Sequence, residues 1–292
     1  ELMAKCAKET SLIQDVAEKL AGLDVLSSLA EVASLNSYVK PEIVDSESVL
    51  EIVDGRHPVV EKLQDDFIPN SIKMSNGEMM IITGPNTSGK STVMRQTALI
   101  VLMAQMGSFV PARSVRMSIC DRIFTRVGAQ DDLSAGQSTF MVEMLETATI
   151  LKYATSSSLI LLDEIGRGTS TFDGVAIAWS CAEYIYNRIK AKTMFATHYH
   201  VLNKLAEQFE NVHNYNIAVR DVKGEIVFLR TLVAGGTDQS HGIHVARMAG
   251  VPRDVVVRAQ EIQQKLKGED EMLRKVKGKK VREQLDLSGF SG

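Results

Sequence analysis

The stretch Met79-Met80-Ile81-Ile82-Thr83-Gly84-Pro85-Asn86-Thr87-Ser88-Gly89-Lys90-Ser91-Thr92 decides the fold. Its apolar first part reads as a buried strand. The strand runs straight into Gly-x-x-x-x-Gly-Lys-Ser, and an apolar helical pattern follows at once. Strand, glycine loop and helix in direct succession is the context a phosphate-binding loop requires. Gly84 and Gly89 let backbone N–H groups turn inward around phosphates, and the helix start adds a fixed partial positive charge. Lys90 is then placed to reach the outer phosphates, and Ser91 to bind Mg²⁺ through its hydroxyl.

A second stretch, Leu159-Ile160-Leu161-Leu162-Asp163-Glu164, is a continuous apolar run ending in two carboxylates. Such a run predicts a strand buried on both faces of a parallel sheet. The loop Gly166 to Thr171 leads into a helix from about Val175 to Ile189. Thr193 to Ala196 is another buried strand, ending in Thr197-His198. The alternation is that of a doubly wound sheet, with its ligand at the carboxyl ends of the strands. Asp163 closes its strand where a Mg²⁺ bridging the outer phosphates would lie, bound directly or through water. Glu164 points elsewhere, because strand side chains alternate, and is free to orient or deprotonate a water aimed at the γ-phosphorus. Without the glycine loop the two acids would read as solvated carboxylates. His198 could hydrogen-bond the γ-phosphate, although a Thr-His pair alone carries little.

Leu133-Ser134-Ala135-Gly136-Gln137-Ser138-Thr139 opens a helix, as a second anion-binding terminus or as a plain serine N-cap. In the first case it cannot easily reach the phosphates that Lys90 holds, and a second subunit would have to supply it. Arg167 could sense charge or pair across an interface; a solvated loop arginine reads equally well. The pairs His198/His200 and His241/His244 lack the supporting ligands of a metal site. Glu143 and Glu146 read as a solvated helix face. No serine or cysteine nucleophile arrangement stands out.

Further out, Leu12, Val16, Leu20, Leu23, Leu26 and Leu29 recur at helical spacing. They predict one long helix from about Ala7 to Ser34, or two joined near Gly22, packing against a partner surface. Val49 to Val53 reads as a strand. Ile72-Lys73-Met74 and Met79 to Ile82 flank Asn76-Gly77, a hairpin signal that would give the phosphate strand an antiparallel partner. Thr92 to Met106 is apolar almost all round, predicting a buried helix stopped by Gly107 and Pro111. Val115 to Val127 reads as one or two strands, Gln137 to Thr155 as helix. Val212 to Val219 and Glu225 to Thr231 form a strand pair. Ile243 to Ala249 and Pro252 to Lys267 form two helices about Gly250-Val251-Pro252. The tail from Gly268 is dense in Lys, Glu and Gly and reads as loosely ordered.

The 292 residues are 45% hydrophobic and 24% charged, an ordinary globular balance. A net charge of −3 gives no general basic surface, so charge does not argue for nucleic-acid binding. Three scattered cysteines, Cys6, Cys120 and Cys181, fit a reducing compartment. No signal peptide is visible. The longest apolar run, Ala98 to Met106, is too short to span a bilayer. With no initiating Met and a long helix at its start, the chain reads as a piece of something larger.

Several long runs, in this order, resemble the DNA mismatch-repair MutS family, in its C-terminal ATPase domain. They are Glu51 to Val60, Thr83 to Thr92, Arg122 to Gly128 continuing to Ser138-Thr-Phe-Met-Val-Glu143, Leu162 to Thr171 and Ala196-Thr-His-Tyr199. The resemblance covers nearly the whole chain. It implies an α/β fold of ABC-type P-loop NTPase: a mostly parallel central sheet flanked by helices, an antiparallel β subdomain and a C-terminal helix-turn-helix. The implied domains are 1-45, the end of a lever helix; 46-240, the ATPase; 241-267, the helix-turn-helix; and 268-292, a flexible charged tail.

By the same resemblance, Gly84, Pro85, Asn86, Thr87, Ser88, Gly89, Lys90, Ser91 and Thr92 hold ATP or ADP. Ser91 and Asp163 hold Mg²⁺, and Glu164 is the catalytic base, with Lys90 and His198 assisting at the γ-phosphate. Ser138 reaches the partner subunit's nucleotide, and Phe67 stacks on adenine. Ser88 stands where many relatives carry glycine. The implied partners are a second copy of the chain, met through the ATPase face and the helix-turn-helix, a MutL-type repair protein, and DNA through domains not present here, with no membrane. The implied setting is a prokaryotic cytoplasm, at the nucleoid during repair. Two other readings compete with a mismatch-repair ATPase: an ATP-gated dimerisation module with little turnover, and the nucleotide-binding subunit of an ABC transporter.

Overall fold

A computed structural model describes residues 2–45, 47–85, 88–127, 139–222, 225–237 and 241–266. It contains two units, Glu1–Asp238 and Gln239–Gly292. The first unit begins with α1 (Leu2–Lys8), α2 (Thr10–Leu35), β1 (Glu42–Ile43), β2 (Leu50–Gly55), α3 (Val60–Leu63), β3 (Asn70–Met74), β4 (Met79–Thr83) and α4 (Lys90–Gln105). There follow β5 (Ser114–Met117), β6 (Ile123–Val127), α5 (Thr139–Tyr153), β7 (Leu159–Asp163), α6 (Thr171–Tyr184), β8 (Lys192–Ala196), α7 (Leu205–Gln208), β9 (Val212–Val222) and β10 (Glu225–Ala234). A π-helical turn, Ile185–Ile189, extends α6. The second unit holds α8 (Gly242–Met248) and α9 (253–266).

Six strands form the main sheet in the order β10-β9-β4-β8-β7-β6, parallel except for the antiparallel β9/β10 pair. Because side chains alternate along a strand, each central strand feeds two cores. Met80, Ile82, Leu161 and Met194 face α4 and the small sheet. Met79, Ile81, Ile160, Leu162 and Phe195 face α6 and the π-helical turn. Burying a side chain of this size contributes roughly 1.5–3 kcal/mol, which is why β4 and β7 read as unbroken apolar runs. The helix α4 buries one stripe, Val93, Met94, Thr97, Ile100, Val101 and Ala104. It is not buried all round, for Leu102 is 53% exposed, as is Met106, 60%, just past its end.

The small sheet, β1-β5-β2-β3, corrects one expectation. Asn76-Gly77 does make a turn, with Gly77 at φ +81°, but it is not a hairpin. Its incoming strand β3 pairs with β2, while its outgoing strand β4 pairs with β8 and β9, both parallel. The turn therefore carries the chain from one sheet to the other. The long N-terminal helix breaks at Glu9, between α1 and α2, and runs unbroken through Gly22. Along it Leu12, Leu20, Leu23 and Leu26 are each at least 60% exposed.

In the second unit, Gly250 N–H donates to Arg247 O and Val251 N–H to Ala246 O, closing α8 with Gly250 in the left-handed region. Pro252 directly precedes α9, where its missing N–H costs nothing. No described helix is long and apolar enough to cross a membrane.

Candidate functional site

Register fixes the site. Ala196 of β8 lies level with Ile82 of β4 on one side and with Asp163 of β7 on the other. The carboxyl ends of three adjacent parallel strands therefore open side by side, carrying the Gly84 loop, Thr197-His198 and Asp163-Glu164. That is the edge where open α/β sheets take their ligands.

Gly89 caps α4 in the left-handed conformation, φ +109°, which glycine adopts at no steric cost. Ser88 is fully buried, and both its N–H and its hydroxyl donate to Pro85 O, at 3.1 and 2.7 Å. Its side chain thus shapes the loop from within. Lys90, only 2% exposed, donates from Nζ to Gly84 O at 2.6 Å and Pro85 O at 3.0 Å. The same Nζ lies 3.8 Å from Glu164 Oε1. Burial lowers the Lys90 ammonium from its ordinary value, against the pull of Glu164 and Asp163. Asn86 and Thr87, expected in this loop, lie outside the described residues, as does Ser138 with the turn before α5.

Ser91 Oγ donates to Asp163 Oδ2 at 2.5 Å. Asp163 Oδ1 is buried and has no hydrogen-bond partner among the described residues. Burial pushes this carboxyl above the ordinary range, with the Ser91 bond working the other way. An anionic oxygen left bare in the interior is costly. A hydroxyl and an orphaned carboxylate oxygen side by side are the donor set a hard divalent cation takes, so the residues fit Mg²⁺. Glu164, just past the strand, sits in the left-handed region at φ +59°. Its N–H donates to Ala196 O, and its Oε2 accepts from Arg167 Nη1. His198 packs its ring 4.0 Å from that of Tyr199, and its Nδ1 is buried without a partner among the described residues. Burial lowers the titration of the His198 imidazole from its ordinary value, against the pull of Glu164.

Beside the first turn of α4 a cavity of about 190 Å³ is lined by Gly89, Ser91, Thr92, Gln96, Phe67 and Arg230, among others. Phe67 and the phosphate-loop helix thus border the same space.

The structure also brings in groups that sequence reading missed. Glu143 lies on the buried stripe of α5 with Thr147 and Ile150 and is 4% exposed, so the expectation of a solvated face is wrong for it. Its Oε1 accepts from Gly166 N–H at 2.5 Å, and buried Arg126 approaches Oε2 at 3.7 Å. Glu146 is about half exposed and lies 3.0 Å from Arg126 Nε, an ion pair off the line of the N–H. Tyr199 Oη donates to Gly166 O at 2.8 Å. The available signal was a carboxylate falling in register with an apolar stripe.

The chain matches the family described as MutS domain V over residues 80–267. This chain belongs to the MutS family. It is 57% identical, over 91% of its length, to the DNA mismatch repair protein MutS of Acetivibrio thermocellus. It is 54% identical to that of Clostridium botulinum (strain Eklund 17B / Type B) over 92% of its length. It is 53% identical to that of Salinibacter ruber, again over 92%. The match covers 31%, 29% and 30% of those proteins, so this MutS chain spans about a third of the length of the curated relatives. The mixed α/β fold with its mainly parallel sheet agrees with MutS domain V.

Proposed function

We propose that this MutS chain binds ATP and hydrolyses it to ADP and phosphate with Mg²⁺, driving a conformational switch in DNA mismatch repair. The observation that carries the reading is the buried Oδ1 of Asp163, without a hydrogen-bond partner among the described residues, with Ser91 bonded to the other oxygen of the same carboxylate. Ser91 and Asp163 hold the metal, which when bound neutralises charge developing on the outer phosphate oxygens. The Lys90 ammonium, now shared between two loop carbonyls, can exchange them for anionic phosphate oxygens, with a stronger, charge-assisted bond. Gly84, Pro85, Gly89 and Thr92 form the cradle with Ser88 as its inner brace. Phe67 offers its ring to adenine across the cavity it shares with α4. Glu164 takes a proton from the attacking water, with Arg167 fixing where its carboxylate points. His198 orients that water or the γ-phosphate.

In the same reading, Asn86 and Thr87 complete the loop, and Ser138 completes the site of a second copy. The ATPase region, 46–240, follows the end of a lever helix in 1–45. The α8–α9 pair, within 241–267, serves as the helix-turn-helix that clasps the partner; 268–292, read from the sequence as a charged tail, lies outside the described residues. Mismatched DNA is engaged through domains outside these 292 residues, and a MutL-type protein reads the switched state. The setting is the cytoplasm, at the nucleoid during repair.

The test is steady-state phosphate release with and without Mg²⁺, beside ATP binding. Turnover that needs both Mg²⁺ and Asp163 supports the reading. Tight ATP binding with no turnover in any condition favours an ATP-gated dimerisation module.

A further inference from the structure

Glu164 stands in a turn that is held from other elements as well as by its own bond to Arg167. Its N–H is tied to β8 through Ala196 O at 2.9 Å. Two residues on, both polar groups of Gly166 are held by buried side chains of other elements. Glu143 of α5 accepts the Gly166 N–H at 2.5 Å, and Tyr199 Oη donates to the Gly166 carbonyl at 2.8 Å. Gly166 is itself at φ +87°, and a Cβ there would meet Gly174 O at 2.5 Å. The turn is therefore fixed from β8, from α5 and from Tyr199. Backbone in the left-handed region persists at a non-glycine residue when its surroundings over-determine it, and Glu164 meets that condition.

A carboxylate is an expensive acceptor to bury for one backbone N–H. Glu143 is 4% exposed, with Arg126 as its charge partner. It stands one turn of helix into α5, so any displacement of α5 is transmitted to the Gly166 peptide through a short, charge-assisted bond. Glu143 does not touch the Lys90, Ser91 and Asp163 cluster in any contact described above.

We propose that Glu143 is a positioning residue for hydrolysis: through the Gly166 peptide it holds Glu164 in its left-handed turn and couples that turn to α5. The proposal deepens the ATPase reading and rests on it. Glu143→Ala lowers kcat by at least about tenfold while KM and ATP affinity stay within about threefold, because Glu143 acts on the water-activating group and not on the phosphates. Glu143→Gln keeps an acceptor oxygen for Gly166 and recovers kcat to within about threefold of the parent. Tyr199→Phe, which removes the second hold and keeps the ring, lowers kcat in the same sense and stands in if Glu143→Ala does not fold. On a Glu164→Gln background, Glu143→Ala costs nothing further, because it acts through the group already removed.

The experiment is steady-state kinetics and equilibrium ATP binding for these variants, at protein concentrations where specific activity no longer rises. An unchanged kcat in Glu143→Ala, an equal loss of ATP affinity, or a full additional loss on the Glu164→Gln background overturns the proposal. Absent turnover in the parent chain strikes the ATPase reading. Turnover present in the parent and untouched by Glu143→Ala strikes the positioning role alone.

Discussion

The hydroxyl of Ser91 donates to Asp163 Oδ2 at 2.5 Å, joining the first turn of α4 to the end of β7, while the other carboxylate oxygen is buried with no hydrogen-bond partner among the described residues. Burial pushes the titration of that carboxyl upward, against the Ser91 bond and the charges of Lys90 and Arg95. Asp163→Asn removes the charge and keeps an acceptor for Ser91. It is expected to raise Tm by a few degrees, at about 2–4 °C per kcal/mol for a domain of this size, while hydrolysis falls at least a hundredfold, to about the level of a metal-free reaction. Thermal unfolding and phosphate release on one preparation check both halves; a lowered Tm would remove the argument that this acid is kept for chemistry at the expense of stability.

Lys90 loses more than a charge when truncated. Its ammonium holds Gly84 O and Pro85 O together, and Lys90→Ala leaves those carbonyls to close on water. Nucleotide affinity should fall by roughly 10- to 100-fold, the size of one or two charge-assisted bonds, as read by titration with a fluorescent ATP analogue. Undiminished affinity would mean that the loop does not bind phosphate.

Two glycines should respond in opposite directions to alanine. At Gly166 the backbone is left-handed and a Cβ would press on Gly174 O at 2.5 Å and its Cα at 2.6 Å, backbone that cannot swing aside. Gly166→Ala should cost at least about 1–3 kcal/mol and lower the urea midpoint. Gly22 lies mid-helix in α2, and a Cβ there meets nothing within 4 Å. Gly22→Ala should stabilise by up to about 1 kcal/mol.

His57 gives the fold a pH dependence separate from the site. It is 7% exposed, and its Nδ1 accepts from the N–H groups of Val59 and Val60, which only a neutral ring can do. Burial, with Arg95 adding to it, holds its titration below the ordinary 6.5. Below pH 6.5 the unfolded chain takes up a proton that the folded chain refuses, so stability falls with pH there and levels off only when the folded ring itself protonates. Urea unfolding between pH 7.5 and 5.5 should show the slope, and His57→Asn, an acceptor that does not titrate, should reduce it, leaving the part due to His198 and His241, whose titration burial also lowers. Equal slopes in the two proteins would take His57 out of the account.

Much of this was legible from local pattern, because the informative segments are short and chemically extreme. Met79 to Thr92 shows its strand, loop and helix in order, and Leu159 to Glu164 shows a doubly buried strand with acids at its end. What failed needed tertiary knowledge. Asn76-Gly77 has hairpin chemistry, yet nothing local to it says that β3 belongs to one sheet and β4 to another. A glycine inside a helix is tolerated when its neighbours carry the helix, so α2 passes through Gly22. Glu143 looked solvated because carboxylates usually are, and only the position of Gly166 beside α5 explains its burial. The left-handed backbone of Glu164 leaves no mark in the sequence at all.

The central claim is that Glu164 activates water for a Mg²⁺-dependent attack on ATP. The most direct test is phosphate release against protein concentration, with Mg²⁺, for the parent chain and Glu164→Gln. The account predicts turnover in the parent, a specific activity that rises with concentration as composite sites form, and near-complete loss in Glu164→Gln with ATP binding retained. A Glu164→Gln rate equal to that of the parent would contradict it.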